Sequence, residues 1–405
     1  MKKRFRAVIA IATALVCTTS CADSLDGNPQ PGMAPVDLSA LQTGAMETEP
    51  TPFNLKFGPD KARSVRFIEA RRMLNYLVHP FDVDSDLTDS GSVRLIVSAD
   101  SMSAEGPLPP IYKPVAEKNS LVAGAYIVRI NGNLRSRKKL IISILRFATD
   151  NDSANAAADF DRITGEQGER HPIPIADHPD ARATSADDIT ATAFQSHGPY
   201  VIVINAGVPT PDRDALASTI KKTTDLQIAQ LDKQQPIPLN DLLDLPIDPD
   251  GIMRRAAPKA KDHSDPFFTV YEEDFGAYQP SGILHFERNP VRMRKAFEDS
   301  GVDLVGRRAG TVYRTSDLAA AFRLQTALTE PGKSDSVLDP PPGLSDARCL
   351  RLDAIDPNRN YTAFCAVVFG HYVAVVVSVF PTAARVDRAL YERAAAQYSI
   401  LAKSE

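Results

Sequence analysis

Apolar positions in this chain fall into three kinds of pattern, and each predicts a different element. The first is the stretch Ala7–Val16, which follows Lys2, Lys3, Arg4 and Arg6. It falls short of the roughly 20 apolar residues that a permanent span needs and has the length and basic flank of an export signal. The second pattern is apolar on both faces. Tyr200–Ala206 and Tyr372–Phe380 read as central strands, covered by helices on each side. The third is helical: Leu216, Ile220, Thr224, Ile228 and Leu231 share one face, as do Val386, Leu390, Ala394, Tyr398 and Leu401.

These patterns repeat. Gly198-Pro199-Tyr200 leads into the first central strand and Gly370-His371-Tyr372 into the second, with Pro209-Thr210 and Pro381-Thr382 after them. The two stretches align without a gap, and after a short deletion the helices align too, with Gln227 on Gln397. Thr210 and Thr382 are expected as N-caps. An earlier helix starting at Ser153 matches one starting at Thr315, each read as beginning at a hydroxyl cap. Pro59 to about Val78 is paired with Pro290 to about Ser300 as a Pro-initiated helix. Several matches in one order favour a duplication. The predicted fold is α+β: two tandem homologous domains, each a mainly antiparallel sheet with packed helices, behind a lipoprotein signal and a flexible tether.

The boundaries follow. Residues 1–20 are the signal and 21–52 a flexible tether, rich in Pro, Gly and Ser. The N-terminal domain covers 53–235, a Pro-rich charged linker 236–267 and the C-terminal domain 268–405. A short helix is expected at Leu239–Leu243. The stretch 80–120, with Pro107-Leu108-Pro109-Pro110, is read as an insertion that the second domain lacks. It is expected to be a solvated excursion, with a binding loop as the alternative.

Cysteines refine the picture. Thr19-Ser20-Cys21 closes the signal as a lipobox does, although Thr18 stands where a leucine is usual. Cys21 is the expected lipidation site, with diacylglycerol on its thiol. Cys349 and Cys365 remain as an even pair in an exported chain, on apolar stretches separated by a turn-rich segment. A structural disulfide is expected. The alternatives, a redox pair or a metal site with His371, suffer from a spacing far longer than C-x-x-C.

Charge excludes one class of partner. The chain has 46 basic and 51 acidic side chains, and the signal removes four of the basic ones. An acidic body without a basic cluster is a poor nucleic-acid binder.

No sequence motif for a nucleophile elbow, zinc protease, phosphate loop or dinucleotide fold is present. His171 and His178 flank a loop with Asp177 and Asp180, a weak metal candidate. His197 and His371 precede the central strands and are expected to be turn or strand-end residues. Glu272-Glu273-Asp274 is expected to be a solvated run. The reading is therefore no enzyme, no catalytic residue, no metal and no cofactor.

Several short motifs, in order, resemble an actinobacterial lipoprotein family, the 7373 family of domains of unknown function. They are the lipobox, Val36–Gly44 with Pro52, Asp248-Pro249-Asp250-Gly251-Ile252, Gly301-Val302-Asp303, Arg314-Thr315 and Ala395-Ala396-Gln397-Tyr398. The resemblance implies a grouping and a location and no activity. The final strand, helix and disulfide are also distantly similar to extracytoplasmic sensor domains of actinobacterial serine/threonine kinases, an analogy of fold alone.

The expected function is an exported lipoprotein, held on the extracytoplasmic face of the cell membrane by its N-terminal lipid. It would bind an envelope small molecule, lipid or protein without catalysis. An accessory role in an envelope complex is the alternative, and an enzyme with an unrecognised site is less favoured. A large apolar inter-domain pocket would favour the binder, an exposed apolar patch the accessory, and convergent titratable groups the enzyme.

Overall fold

The computed structural model describes residues 32–54, 61–104, 106–259, 274–379 and 387–404. The signal, Cys21, Thr382 and Val386 lie outside the described residues.

Among the described residues fourteen strands form two antiparallel sheets of seven. The first comprises β1 (Asp89–Ile96), β2 (Leu121–Ile130), β3 (Lys139–Phe147), β4 (His171–Pro172), β5 (Arg182–Ser185), β6 (Thr190–His197) and β7 (Tyr200–Gly207). The second comprises β8 (Gly276–Tyr278), β9 (Leu304–Arg307), β10 (Thr311–Arg314), β11 (Ser336–Leu338), β12 (Arg348–Arg351), β13 (Ala363–Phe369) and β14 (Tyr372–Ser378). The order across the first sheet is β1-β2-β3-β7-β6-β5-β4, and across the second β8-β9-β10-β14-β13-β12-β11. The two orders are the same. Tyr200 faces Arg146 on β3, and Tyr372 faces Arg314 on β10. The hairpins before these tyrosines turn at Gly198 and Gly370, whose φ values of 52° and 54° lie in the left-handed region that glycine adopts without strain.

The helices are α1 (Lys61–Leu74), α2 (Pro80–Val83), α3 (Ala99–Ala104), α4 (Lys113–Lys118), α5 (Asp150–Glu166) and α6 (Arg213–Leu231) around the first sheet, and α7 (Ile252–Arg255), α8 (Pro280–Leu284), α9 (Pro290–Asp299), α10 (Leu318–Leu328) and α11 (Arg388–Ala402) around the second. Their N-caps are one-turn neighbours of the expected hydroxyls. Thr149 caps α5, Asp212 caps α6 and Asp317 caps α10, each side chain accepting from a backbone N–H three residues on. The residues expected as caps do other work: the Ser153 hydroxyl donates to Gly198 O at 2.6 Å and the Thr315 hydroxyl to His371 O at 2.8 Å, tying helix start to hairpin in both domains.

The proposed pairing of the first helices is corrected. α9 lies between the first two strands of its sheet, so its counterpart is the α3–α4 stretch, whereas α1 precedes β1 and corresponds in position to α7. The 80–120 stretch is therefore no insertion. It supplies edge strand β1 and a helical cover, whose own Met102, Val115 and Ala116 are buried against the sheet.

Two further expectations change. The segment 236–267 carries the expected short helix, as the 3-10 helix Leu239–Asp244, but where it is described it is packed on the domains rather than a free linker: that helix lies on α1 with Leu242 buried, and Ile252 and Met253 are buried in the second domain. The tether is not flexible throughout. Residues 33–53 form a strap on the second domain, where Leu41 is buried and Val36, Leu38 and Phe53 pack beside it. Polar contacts pin the strap: Ala34 N donates to Asp346 at 2.6 Å, and Arg308 donates to Thr51 O at 3.2 Å. These small apolar residues bury little alone; the ready-made face of sheet and α11 supplies the rest.

Each sheet is covered on both faces, as the doubly apolar strands predict. α3–α5 cover one face of the first sheet, over Phe147, Val201 and Val203. α1, α2 and α6 cover the other, over Ile142, Ile202 and Ile204. In the second sheet α9 and α10 occupy the face that α3–α5 occupy in the first, while α11, α7 and the strap occupy the opposite face. The apolar core is continuous between the sheets, because the α1–α6 side of the first domain packs on the α8–α10 side of the second. No described helix is long and apolar enough to cross a membrane.

Candidate functional site

The two domains meet in a groove of about 500 Å³. One wall comes from the end of α1, the turn into α2, and α6, and includes Tyr76, Leu77, His79 and Leu226. The other comes from α8 and α9, with Ser281, Leu284, Arg294 and Phe297. Pro80 and Pro280 start α2 and α8, which fixes where each short helix leaves the wall.

At the groove two histidines from different domains stack, with centroids 4.0 Å apart; His79 is in the wall and His285 lies behind it. His285 Nε2 donates to Leu74 O at 3.0 Å, which leaves its Nδ1 bare. Burial, with Arg129 nearby, pushes His285 down to about 3. Burial also holds His79 well below the usual histidine range, reinforced by His285, Arg294 and Arg129. Both rings are therefore neutral at pH 7. Arg129 is nearly sealed from solvent and donates to His285 O at 2.8 Å and to Thr88 O at 3.0 Å, stitching the domains. Burial pushes its guanidinium down to about 10, with Asp356 opposing. At the rim, Arg294 grips Asp82 through two hydrogen bonds of 2.6 and 2.8 Å and lies over Phe81.

Ser281 Oγ lies 3.3 Å from His79 Nε2, a serine–histidine pair. The other nitrogen, His79 Nδ1, has no partner among the described residues, so none of them fixes its tautomer as the carboxylate of a triad does. A depressed pKa also makes it a weak base.

The residues singled out in the sequence lie elsewhere. Cys349 and Cys365 face each other on β12 and β13, with Cα atoms 4.1 Å apart and sulfurs bonded, inside the core beneath α11. His171 pairs with Asp188 and His178 with Asp225, each at 2.6 Å. They do not converge, and no group of three or more candidate ligands gathers among the described residues. His197 pairs with Asp232 at 2.7 Å, and the His371 ring leans on Tyr372. Asp274 is buried beside Arg307, contrary to the expected solvated run; burial raises its carboxyl pKa, with Arg307 opposing. Glu272 and Glu273 lie outside the described residues. His79, Arg129, His285 and Arg294 carry no motif, and only the fold brings them together.

A tandem pair of like α+β domains with a groove at their junction is the class of protein these features define. The chain belongs to the family described as domain of unknown function (DUF7373): its N-terminal part matches residues 57–247 and its C-terminal part residues 252–404. No curated protein sequence matches the chain. The crystal structure of the extracellular domain of PknH from Mycobacterium tuberculosis is similar at a TM-score of 0.27 and 10% identity, over 39% of this chain and 95% of that one. A likeness of that size says nothing about the role of this chain.

Proposed function

We propose that this protein is an exported lipoprotein, anchored through Cys21 at the extracytoplasmic face of the membrane, that binds a small envelope amphiphile without catalysis. The observation that carries this reading is the inter-domain groove. Its volume of about 500 Å³ suits a small molecule rather than a polymer. Leu77, Leu226, Leu284 and Phe297 offer an apolar bed, and Ser281, Asn75 and Gln230 offer neutral polar groups. Arg294 and Asp82 satisfy each other, which leaves Glu298 as the remaining charge on the walls, so they favour a ligand whose head is neutral or cationic rather than anionic. The lone serine–histidine pair, without a third member, supports binding over turnover.

Native mass spectrometry of the full chain, purified from its own envelope, tests the reading. A co-purifying small molecule is expected, and Leu226→Trp, which fills the groove, is expected to lose it. An empty wild-type protein, or a ligand retained by the tryptophan variant, rejects the proposal. For the anchor, Cys21→Ser is expected to yield unacylated protein; acylation that survives the change refutes it.

A further inference from the structure

Each domain carries a second cavity, and the two occupy the same place in the repeat. In the first domain a cavity of about 320 Å³ lies under the Pro107–Pro109 segment. In the second a cavity of about 270 Å³ lies under the start of α9. Val203 is the fourth residue of β7 and floors the first; Val375 is the fourth residue of β14 and floors the second. Each is closed by the connection between the first two strands of its sheet and by the C-terminal end of the next helix, α5 or α10.

Their charges differ. In the second domain the protein supplies its own anion. Glu287 is buried and accepts from Tyr313 Oη at 2.7 Å and from Arg359 Nη2 at 3.0 Å. In the first domain no carboxylate among the described residues lines the cavity, yet two cations do, Lys139 and Arg170. Thr184 holds the Arg170 guanidinium in place, through hydrogen bonds of 3.0 and 2.9 Å. Lys139 is half-buried, and its ammonium meets no carboxylate among the described residues; burial lowers its pKa. Asn205 lines the same cavity, with Nδ2 on Thr192 Oγ1 at 3.1 Å and a buried Oδ1 that has no partner. The reverse amide orientation turns the donor toward the cavity and lets Oδ1 accept from Thr192.

We propose that the first-domain cavity binds a small organic anion, a carboxylate or a phosphate monoester, where the second domain holds the side chain of Glu287. The anion meets Lys139 and Arg170, and its apolar body lies against Ile141, Val203 and Leu108. Two cations without a counter-charge among the described residues, in a half-closed cavity, are costly, and an anion that enters relieves that cost. The cavity is separate from the inter-domain groove, so each reading stands or falls alone.

Calorimetric titration of the full chain in detergent with benzoate and with phenyl phosphate tests this. Saturable binding of one probe or both is expected, and the preferred probe identifies the head group. Lys139→Met is expected to weaken that binding by about tenfold or more, while Lys139→Arg stays near wild type. The melting temperature of the methionine variant without probe is expected to stay at or above that of wild type, which separates lost binding from lost folding. Absence of saturation with both probes, or wild-type affinity in Lys139→Met, overturns the proposal.

Discussion

Gln227 and Gln397 make the same pair of hydrogen bonds in different domains. Both are fully buried on the last helix of their repeat. Gln227 accepts from Val78 N at 3.0 Å and donates to Tyr76 O at 2.9 Å. Gln397 accepts from Ala257 N at 2.8 Å and donates to Arg255 O at 2.7 Å. Each side chain thus acts as a missing strand residue for the segment that enters its domain. Gln227→Ala or Gln397→Ala strands two buried backbone groups, at a cost of about 3 kcal/mol. Urea denaturation at pH 7 measures it; a loss below about 1 kcal/mol contradicts the clamp.

The disulfide closes a loop with a sequence separation of 16. Cys349→Ser with Cys365→Ser should cost about 3 kcal/mol, on the chain-entropy scale for a loop of this length. Reduction of the wild type under denaturant should give the same shift, and equal midpoints with and without reductant would count against it.

Acid should weaken the domain junction. His285 has a folded pKa of about 3, below its unfolded value near 6.5. The unfolded chain therefore binds more protons, so stability is complete above about pH 6.5 and declines as pH falls toward 3. From pH 7 to 5 this histidine accounts for about 2 kcal/mol. His285→Asn keeps a donor for Leu74 O and should flatten that part of the pH dependence. An unchanged slope in the variant would rule out this origin.

The rim pair should matter little for stability. Arg294 and Asp82 are each about one-third exposed, at 34% and 36%, and a pair so wetted contributes no more than about 1 kcal/mol. Asp82→Asn should leave the denaturation midpoint nearly unchanged, yet alter what the groove retains in native mass spectrometry. A large stability loss would mean that the pair holds the domains together.

The central strands, the last helices and their glutamines were legible in the sequence because their burial is two-sided or strictly periodic. The disulfide was legible because it left no other even pairing. Strand β1 was hidden because an edge strand with one wet face, Asp89-Ser90-Gly91-Ser92, carries almost no apolar signal. The caps were misplaced for a physical reason: Thr149 and Asp317 precede helices that also contain Ser153 and follow Thr315, and a hydroxyl near a helix start has two backbone partners to choose from. The strap was read as tether because Pro and Gly disfavour a core of their own, and nothing local announces a partner surface hundreds of residues away. The same distance hides the groove: His79 and His285 are ordinary in sequence and meet only when two domains stack.

The junction joins unlike faces of like domains, the α1–α6 side of one to the α8–α10 side of the next. Such a head-to-tail contact has no intrinsic end; copied onward, it would grow a filament rather than close on itself. The strap at residues 33–53 lies with α11 on the second domain's outer face, the face equivalent to the one that the first domain offers its neighbour, and so stands where such growth would have to continue.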